Sequence, residues 1–300
     1  MWRTAALASV FLQLASAAAH AQVLPPHPPL RILIVSDEVN PHGLPPELLT
    51  QPGEIRVALL GASALNLAAD ANAVREIPTD QLEQATALLA LPRTYDVLVY
   101  FAHRIPETGA DPTGRQAAFV AAVDAFLAAG GGVVSFHHGI YRTAGKEAMQ
   151  ALLHGEATGN VPYDTVTGQN VVDVAPGHFI TTNGITYAGN IAYADAAVGV
   201  PNASYPFFNN TPDERYPSLV LLPSPGTVRP LFASNYADNG TTHILGYEQR
   251  RSTWSGVVIV YQPGEYQPNA LGPGNNFQIL LNAIVYAGTI SGAQFANGFE

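Results

Sequence analysis

Short runs of mainly apolar residues punctuate the first half of the chain. They occupy residues 30–35 (LRILIV), 95–101 (YDVLVYF) and 133–136 (VVSF), and each run gives way to polar residues. Continuous apolar runs of this length predict strands that are covered on both faces, as in a parallel sheet. Residues 74–77 predict a further short strand.

Between these runs, apolar residues recur at the spacing of a helix. Two sets of residues each share one helix face: Ile55, Leu59, Ala62 and Leu65, and then Phe119, Val123, Phe126 and Leu127. Another helix is predicted from Thr79, as N-cap with Glu83 close to the capping-box position, to about residue 91. The glycines at 130–132 are predicted to end the helix before them. This alternation predicts an α/β domain with right-handed crossovers and a doubly wound, mainly parallel sheet.

The second half of the chain predicts antiparallel strands and long loops added to this sheet. Short β-type runs lie at residues 171–174, 219–222, 228–233, 243–246 and 257–261. Residues 201–217, which are rich in proline, asparagine and tyrosine, are predicted to form a loop. A closing helix is predicted to stop at Gly288. The residues on its apolar face are Phe277, Leu280, Leu281, Ile284 and Val285.

The first 21 residues have the features of a secretory signal peptide. Arg3 gives a positive start, residues 5–18 are apolar and uncharged, and Ala19-His20-Ala21 fits a small-x-small cleavage site. The apolar run is short for a membrane span, which needs about 20 residues, and we expect no span elsewhere. Because the chain has no cysteine, disulfides and a lipoprotein anchor are excluded. We therefore expect a bacterial protein of the periplasm or the medium.

The same patterns predict the division of the chain. We expect a signal peptide over residues 1–21, a linker over residues 22–29, one domain over residues 30–290 and a C-terminal tail over residues 291–300. The linker is proline-rich, and proline keeps the residue before it out of the helical region.

Composition limits the partners of the mature chain. Charged residues make up 12% of the sequence, against about 25% in an ordinary soluble domain. The signal peptide holds only Arg3 among charged side chains, so its removal changes the formal charge from −10 to −11. Nucleic acid and anionic lipid need a basic surface, so we expect neither as a partner. A neutral or cationic small molecule is favoured, and the sequence does not indicate an oligomeric state.

Two of the predicted strands deliver histidine to one edge of the sheet. His137 and His138 follow one strand, and His103 follows another. Ligands of open parallel sheets bind beyond the carboxyl ends of the strands, where Asp37 and Glu38 would also lie after the first strand. We predict two sets of site residues there. The catalytic set is His137, His103 and Asp37, and the binding set is His138, Glu38, Tyr141 and Arg142.

These residue types allow several kinds of chemistry. Neutral imidazole beside a carboxylate can accept and return a proton near pH 7, so His137 is predicted to act as acid/base or to orient a ligand, with the carboxylate setting its tautomer. The same groups suit zinc, iron or manganese. Adjacent histidines on an extended backbone point in opposite directions, however, so only one of His137 and His138 is expected to face a given centre. A divalent metal is therefore not the favoured cofactor. Histidines that only cap strand ends are the third alternative.

Nucleophilic catalysis has little support in the sequence. Cysteine-dependent chemistry is excluded because the chain has no cysteine. Ser135 lies inside the predicted strand and not at the tip of the sharp strand-to-helix turn that exposes a serine nucleophile.

Three segments resemble the ThuA-like (trehalose utilisation) family. Residues 130–137 (GGGVVSFH) look like its glycine triplet, apolar strand and histidine, and residues 178–184 (HFITTNG) are similar to its His-Pro-Ile-Thr-x-Gly turn with phenylalanine in place of proline. Residues 256–284 resemble its closing strand, loop and helix. The resemblance covers residues 30–288. It implies a class I glutamine amidotransferase-like (flavodoxin-like) fold and a role in carbohydrate metabolism.

Two elements of the family pattern differ in this chain. The acidic Asp-Glu-x-Tyr element is matched only in part, by Tyr193-Ala194-Asp195, and residues 250–256 (RRSTWSG) replace a Gly-Lys-Gly-Arg segment. The resemblance thus implies the fold more strongly than an activity. We expect an exported protein that acts on or binds a carbohydrate-like small molecule without a cysteine nucleophile. The alternatives are a sugar-binding module without turnover and a structural or interaction protein that has lost its site.

Overall fold

Strands and helices alternate in the first half of the chain, and strands predominate in the second half. The computed structural model describes residues 24–38, 50–91, 93–103, 112–143, 145–158, 161–164, 169–210, 213–216, 218–235, 242–266 and 270–289. The predicted signal peptide and C-terminal tail lie outside the described residues. Residues 24–29 of the predicted linker have no regular secondary structure. Among the described helices, none combines the length and the hydropathy needed to cross a bilayer.

Strands outnumber α-helices among the described residues. In chain order, the strands are β1 (Ile32–Ser36), β2 (Val74–Pro78), β3 (Val97–Tyr100), β4 (Gly132–Phe136), β5 (Gly155–Thr158), β6 (Val161–Asp164), β7 (Asn170–Asp173), β8 (Gly189–Asp195), β9 (Val200–Asn209), β10 (Asp213–Arg215), β11 (Ser218–Leu221), β12 (Thr227–Asn235), β13 (Thr242–Arg250) and β14 (Val258–Tyr261). The helices are α1 (Glu54–Gly61), α2 (Leu82–Leu89), α3 (Pro112–Ala128), α4 (Glu147–Leu153), α5 (Phe179–Thr182) and α6 (Asn275–Thr289).

One mixed sheet forms the centre of the protein. Within the described residues it has ten strands in the order β2-β1-β3-β4-β14-β13-β12-β7-β9-β8. The strands β2, β1, β3, β4 and β14 run parallel, in the 2-1-3-4-5 order of one common type of doubly wound sheet. The strands from β13 onward pair antiparallel. The predicted α/β class is confirmed as a parallel core that the second half of the chain extends with antiparallel strands.

Helices cover both faces of the parallel half, as the alternating pattern predicts. Successive residues of a strand point to opposite faces. Ile34 of β1 accordingly packs in one apolar cluster with residues of α1 and α6. Its neighbour Leu33 packs in another with residues of α2 and α3. A strand buried on both faces needs apolar residues at every position, which explains the continuous run in the sequence.

The predicted loop over residues 201–217 is wrong, because this segment contains most of β9 and all of β10. Proline and asparagine favour turns, and they led to the prediction. Tyr205 and Phe208 of β9 are nevertheless buried, and aromatic side chains pack well on a pleated surface. Tertiary packing therefore outweighs local turn preference in this segment.

The predicted ends of two helices also differ from the structure. Thr79 does not cap α2, which begins only after a 3₁₀ turn over Thr79–Gln81. Helix α6 includes Gly288 and does not stop there. A Cβ atom at Gly288 would lie 2.8 Å from Cγ2 of Val97, so this glycine allows close packing of α6 on β3.

Candidate functional site

The carboxyl ends of parallel strands meet at a group of buried polar side chains. Asp37 follows β1, His137 and His138 follow β4, and Glu265 lies in the loop after β14. Glu214 of β10 and Tyr216 complete the group from the antiparallel part of the chain. We call these six residues the histidine–carboxylate cluster. Each of them is at most 2% exposed.

A tight turn brings the two adjacent histidines together. A 3₁₀ turn over His137–Ile140 begins directly after β4, and His137 has a φ of +36°. A residue other than glycine adopts this left-handed region at a cost of about 1–3 kcal/mol. The ring centroids of His137 and His138 lie 4.8 Å apart. The expectation that only one of them faces a given centre is therefore wrong, because it assumed an extended backbone.

His137 is held at both ring nitrogens. Its Nδ1 lies 2.7 Å from the backbone oxygen of Gln262. A carbonyl only accepts, so Nδ1 carries a proton and donates it there. Its Nε2 lies 2.9 Å from the hydroxyl of Tyr216 and 3.1 Å from Oε2 of Glu214. Neutral His137 can thus accept from Tyr216, and protonated His137 can donate to Glu214.

His138 lies between two carboxylates. Its Nε2 is 3.1 Å from Oε2 of Glu265, and its Nδ1 is 3.7 Å from Oδ2 of Asp37. The ring of Phe101 stacks on it with 4.7 Å between centroids. Burial by itself lowers the pKa of His138, but the charges and hydrogen bonds of Glu265 and Asp37 outweigh it and raise that pKa to about 9. The two carboxylates thus favour the charged form of this imidazole.

Asp213 fixes the loop that carries Glu265. Its Oδ1 accepts from the backbone N–H of Glu265 at 3.0 Å and of Glu214 at 3.0 Å, and also from that of Tyr266. Its Oδ2 accepts from the N–H of Gly264 at 2.9 Å. Burial raises the pKa of Asp213, while the charge of His137 and these hydrogen bonds oppose the rise. Asp213 therefore positions the loop beside the cluster.

Lys146 joins the backbone segments that follow β3 and β4. It is fully buried, and its Nζ donates to the backbone oxygens of Ala102 at 2.7 Å, His138 at 2.8 Å and Tyr141 at 2.9 Å. An ammonium group has three donors, which these three carbonyls satisfy. Burial lowers the pKa of Lys146 to about 7, and the charge of Asp37 opposes this shift.

Two partly exposed rings form the edge of the site, which we call the aromatic rim. The rings of His103 and Tyr141 stack with 4.9 Å between centroids and an angle of 19°. His103 also lies 5.1 Å from the ring of His138, and Tyr141 lies 4.9 Å from that of Tyr216. The backbone N–H of His103 donates to Asp37 at 2.7 Å. The rim thus contacts the cluster directly.

The structure brings most of the predicted site residues together. His137, His138 and Asp37 lie in the cluster, and His103 and Tyr141 form the rim. Two predicted binding residues are placed differently. Glu38 is half-buried next to Asp37, and Arg142 is exposed and pairs with Glu156 at 3.3 Å.

Sequence reasoning missed the half of the cluster that comes from later in the chain. Residues 213–216 read Asp-Glu-Arg-Tyr and match the Asp-Glu-x-Tyr element letter for letter, within the segment predicted as a loop. Tyr193-Ala194-Asp195 is not its counterpart, because Tyr193 packs in a separate apolar cluster and Asp195 caps a 3₁₀ turn. A literal search for the motif would have found Glu214 and Tyr216. No sequence signal pointed to Glu265.

A second buried histidine–carboxylate pair lies elsewhere in the fold. Nδ1 of His178 accepts from the N–H of Ile180 and so caps α5, and its Nε2 lies 3.2 Å from Oε2 of Glu248. These contacts give His178 a structural role. The pair offers a matched control for substitutions in the cluster.

Comparison with known proteins bears on the fold. No protein-family model matches this sequence, and no curated protein sequence matches it either. A solved structure of a ThuA-like protein from Parabacteroides merdae has a TM-score of 0.52 at 14% identity, covering 87% of this chain and 90% of that chain. A ThuA-like protein from Bacteroides uniformis has a TM-score of 0.49 at 16% identity, covering 85% of this chain and 89% of that chain. The resemblance to ThuA-like proteins is thus confirmed for the fold, and the protein has the fold of the Parabacteroides merdae protein.

Proposed function

We propose that the protein acts on a carbohydrate-like small molecule by general acid–base chemistry, without a cysteine nucleophile. One observation carries the proposal. Nε2 of His137 lies between the hydroxyl of Tyr216 and the carboxylate of Glu214, while its Nδ1 donates to a backbone carbonyl. An imidazole with a fixed tautomer and a carboxylate partner can accept a proton and return it near neutral pH.

In the proposed reaction the proton moves through Nε2 of His137. The ring accepts the proton of a ligand hydroxyl, directly or through the hydroxyl of Tyr216, and Glu214 stabilises the imidazolium that forms. The imidazolium then returns the proton to the ligand, which restores neutral His137. Burial, together with the charges of Glu214 and Glu265, raises the pKa of Tyr216, so that it stays a hydroxyl and can relay a proton. No covalent bond to the protein forms, so no cysteine is needed.

The choice of a carbohydrate-like ligand rests on the aromatic rim, the charge and the resemblance. His103 and Tyr141 offer partly exposed stacked rings, and aromatic faces beside polar groups suit a ligand with apolar and hydroxylated sides. The acidic chain disfavours an anionic ligand. The resemblance to the ThuA-like family also implies carbohydrate metabolism and, at a finer level, a class I glutamine amidotransferase-like fold.

A sugar-binding module without turnover is the second candidate, and burial of the cluster favours it. His137 and His138 are fully buried, whereas the aromatic rim is partly exposed. A ligand that binds only at the rim would never contact His137. A structural or interaction protein with this fold would bind no sugar at all.

Glu214→Gln separates these candidates. The wild type is screened against mono- and disaccharides, including trehalose, with binding measured by calorimetry and turnover followed by proton NMR. We expect the variant to bind nearly as well as the wild type but to lose roughly 100-fold or more in turnover. Glu248→Gln makes the same chemical change at the His178 pair and should alter neither property. Full turnover in Glu214→Gln contradicts the proposal, and binding without turnover by the wild type favours the binding module.

Export and the division of the chain belong to the same proposal. The signal peptide covers residues 1–21, the linker residues 22–29, the domain residues 30–290 and the tail residues 291–300. The mature protein works in the periplasm or the medium. Mass spectrometry of protein from a bacterial expression host should find a chain that begins at Gln22. An intact N-terminus beginning with Met1 on membrane-bound protein would overturn export.

A further inference from the structure

We infer that the histidine–carboxylate cluster is a binding site for one divalent metal ion, held by His137, His138 and Glu265. Each residue offers one ligand atom, and these atoms all lie within 4.8 Å of one another. All three side chains are buried. The inference rests on the site assigned in the proposed function, and it changes the role of His137. An ion on Nε2 occupies the lone pair that accepts a proton in the ion-free protein, so Glu214 would be the proton acceptor beside a bound ion.

The separations of the ligand atoms suit one ion. Nε2 of His138 lies 3.1 Å from Oε2 of Glu265, and Nε2 of His137 lies 3.7 Å from the same oxygen. Zinc binds imidazole nitrogen and carboxylate oxygen at about 2.0–2.2 Å, so the ligand atoms around one ion lie about 3–4 Å apart. Both separations fall in this range. Both nitrogens are therefore close enough to this oxygen to share one ion with it, and the third separation is within 4.8 Å.

The other ring nitrogen of His137 is hydrogen-bonded as in known metal sites, and that of His138 lies near a carboxylate. A metal-bound histidine almost always donates its second ring N–H to a backbone carbonyl or a carboxylate. Nδ1 of His137 donates to the carbonyl of Gln262 at 2.7 Å, and Nδ1 of His138 lies 3.7 Å from Oδ2 of Asp37. Both rings consequently present Nε2 to Glu265.

The backbone around the ligands is arranged to hold them. His137 adopts a left-handed conformation with φ of +36°, which places its ring beside that of His138. Asp213 accepts from the three consecutive N–H groups of residues 264–266 and fixes the loop that bears Glu265. Strained backbone of this kind persists only where the surrounding structure determines it, and it occurs often at functional sites.

The ligand set defines the class of metal. Two imidazoles and one carboxylate suit zinc, and also iron or manganese, whereas a site for copper(I) would need sulfur ligands. Three protein ligands leave a coordination position open, as in catalytic zinc sites of the His₂Glu type. Glu214 and Tyr216 lie within 3.1 Å of Nε2 of His137 and would therefore lie beside the ion. The sequence disfavoured a metal because the two histidines were expected to diverge, and the turn removes that objection.

The test measures metal binding by the whole chain, purified without a histidine tag and freed of metal by chelation. Co²⁺ serves as the spectroscopic probe and Zn²⁺ as its competitor. We expect one Co²⁺ per chain, with visible absorption bands of a four- or five-coordinate ion that Zn²⁺ abolishes. Glu265→Gln and His138→Gln should each weaken Zn²⁺ binding roughly tenfold or more. Circular dichroism checks that each variant folds.

Glu248→Gln and His178→Gln are the matched controls, because they make the same changes at the other buried pair. Both should bind Zn²⁺ as the wild type does. If one cluster variant does not fold, the other variant and the wild-type stoichiometry still decide. A wild type that takes up no ion at millimolar Co²⁺, or cluster variants that bind Zn²⁺ as tightly as the controls, would overturn the inference. One ion bound by a protein without turnover supports it and refutes the proposed reaction. Turnover by a wild type that binds no ion refutes the inference and supports the proposed reaction.

Discussion

Replacement of Lys146 by methionine should remove a pH dependence from the stability of the protein. Lys146 is fully buried, and its Nζ donates to three backbone carbonyls that lie just after β3 and β4. It is also the only lysine in the sequence. Methionine keeps the unbranched apolar stem of the side chain and removes the group that titrates.

The size of the effect follows from the pKa of this amine. Burial lowers the pKa of Lys146 from 10.5 to about 7. Each pKa unit corresponds to about 1.36 kcal/mol, so the shift amounts to about 5 kcal/mol. Between pH 7 and 10.5 the unfolded chain binds more protons than the folded one. The contribution of Lys146 to the free energy of unfolding therefore rises with pH through this window and is constant below it.

Urea unfolding of the wild type and of Lys146→Met across this range measures the difference. The contributions of groups that titrate in both proteins cancel when the two free energies of unfolding are subtracted. These groups include His138, whose raised pKa of about 9 makes stability fall as pH rises from its unfolded value of 6.5. Between pH 7 and 10.5 we expect the free energy of unfolding of the wild type to rise by about 5 kcal/mol relative to that of the variant. A difference that stays flat would refute the reasoning. Lysine labelled with ¹³C gives an independent measurement, since its one signal should titrate near pH 7.

Three further substitutions test the packing and hydrogen bonds around the site, each by urea unfolding. Tyr216→Phe removes the hydroxyl that donates to His137 and should lower the free energy of unfolding by about 1–3 kcal/mol. An unchanged stability would exclude that hydrogen bond. Asp213→Asn removes the charge of a carboxylate that accepts hydrogen bonds from several backbone N–H groups. It should lower the free energy of unfolding by at least as much, roughly 1–3 kcal/mol, and should weaken Zn²⁺ binding. Gly288→Ala places a Cβ atom 2.8 Å from Val97 and should cost about 1–3 kcal/mol, whereas a neutral result would show that α6 can shift.

The fold of the first half could be predicted because its constraints are local in sequence. Strands buried on both faces need continuous apolar runs, and residues 30–35 and 95–101 supply them for β1 and β3. Strand β9 could not be predicted in this way. Its prolines and asparagines favour turns, and the burial of Tyr205 and Phe208 that stabilises it depends on neighbouring strands.

The site residues likewise divide into those that the local sequence predicts and those that it does not. His137, His138 and Asp37 could be predicted because the ends of parallel strands gather at one edge. Glu265 could not, since Asp213 sets its position from 52 residues away in the chain. The left-handed turn at His137 was equally hidden, because nothing in Phe-His-His-Gly distinguishes it from a continuing strand. That turn decides whether the two rings meet.

The most direct test of the site is to observe the histidine rings while a sugar binds. Long-range ¹H–¹⁵N spectra of the chelator-treated protein resolve ring signals, which single His→Gln variants assign. A sugar found to bind in the saccharide panel is then added to saturation. We predict that the signals of His137 and His138 move, and that the signal of His178 at its separate pair does not. Saturating binding that leaves His137 and His138 unchanged would contradict the site.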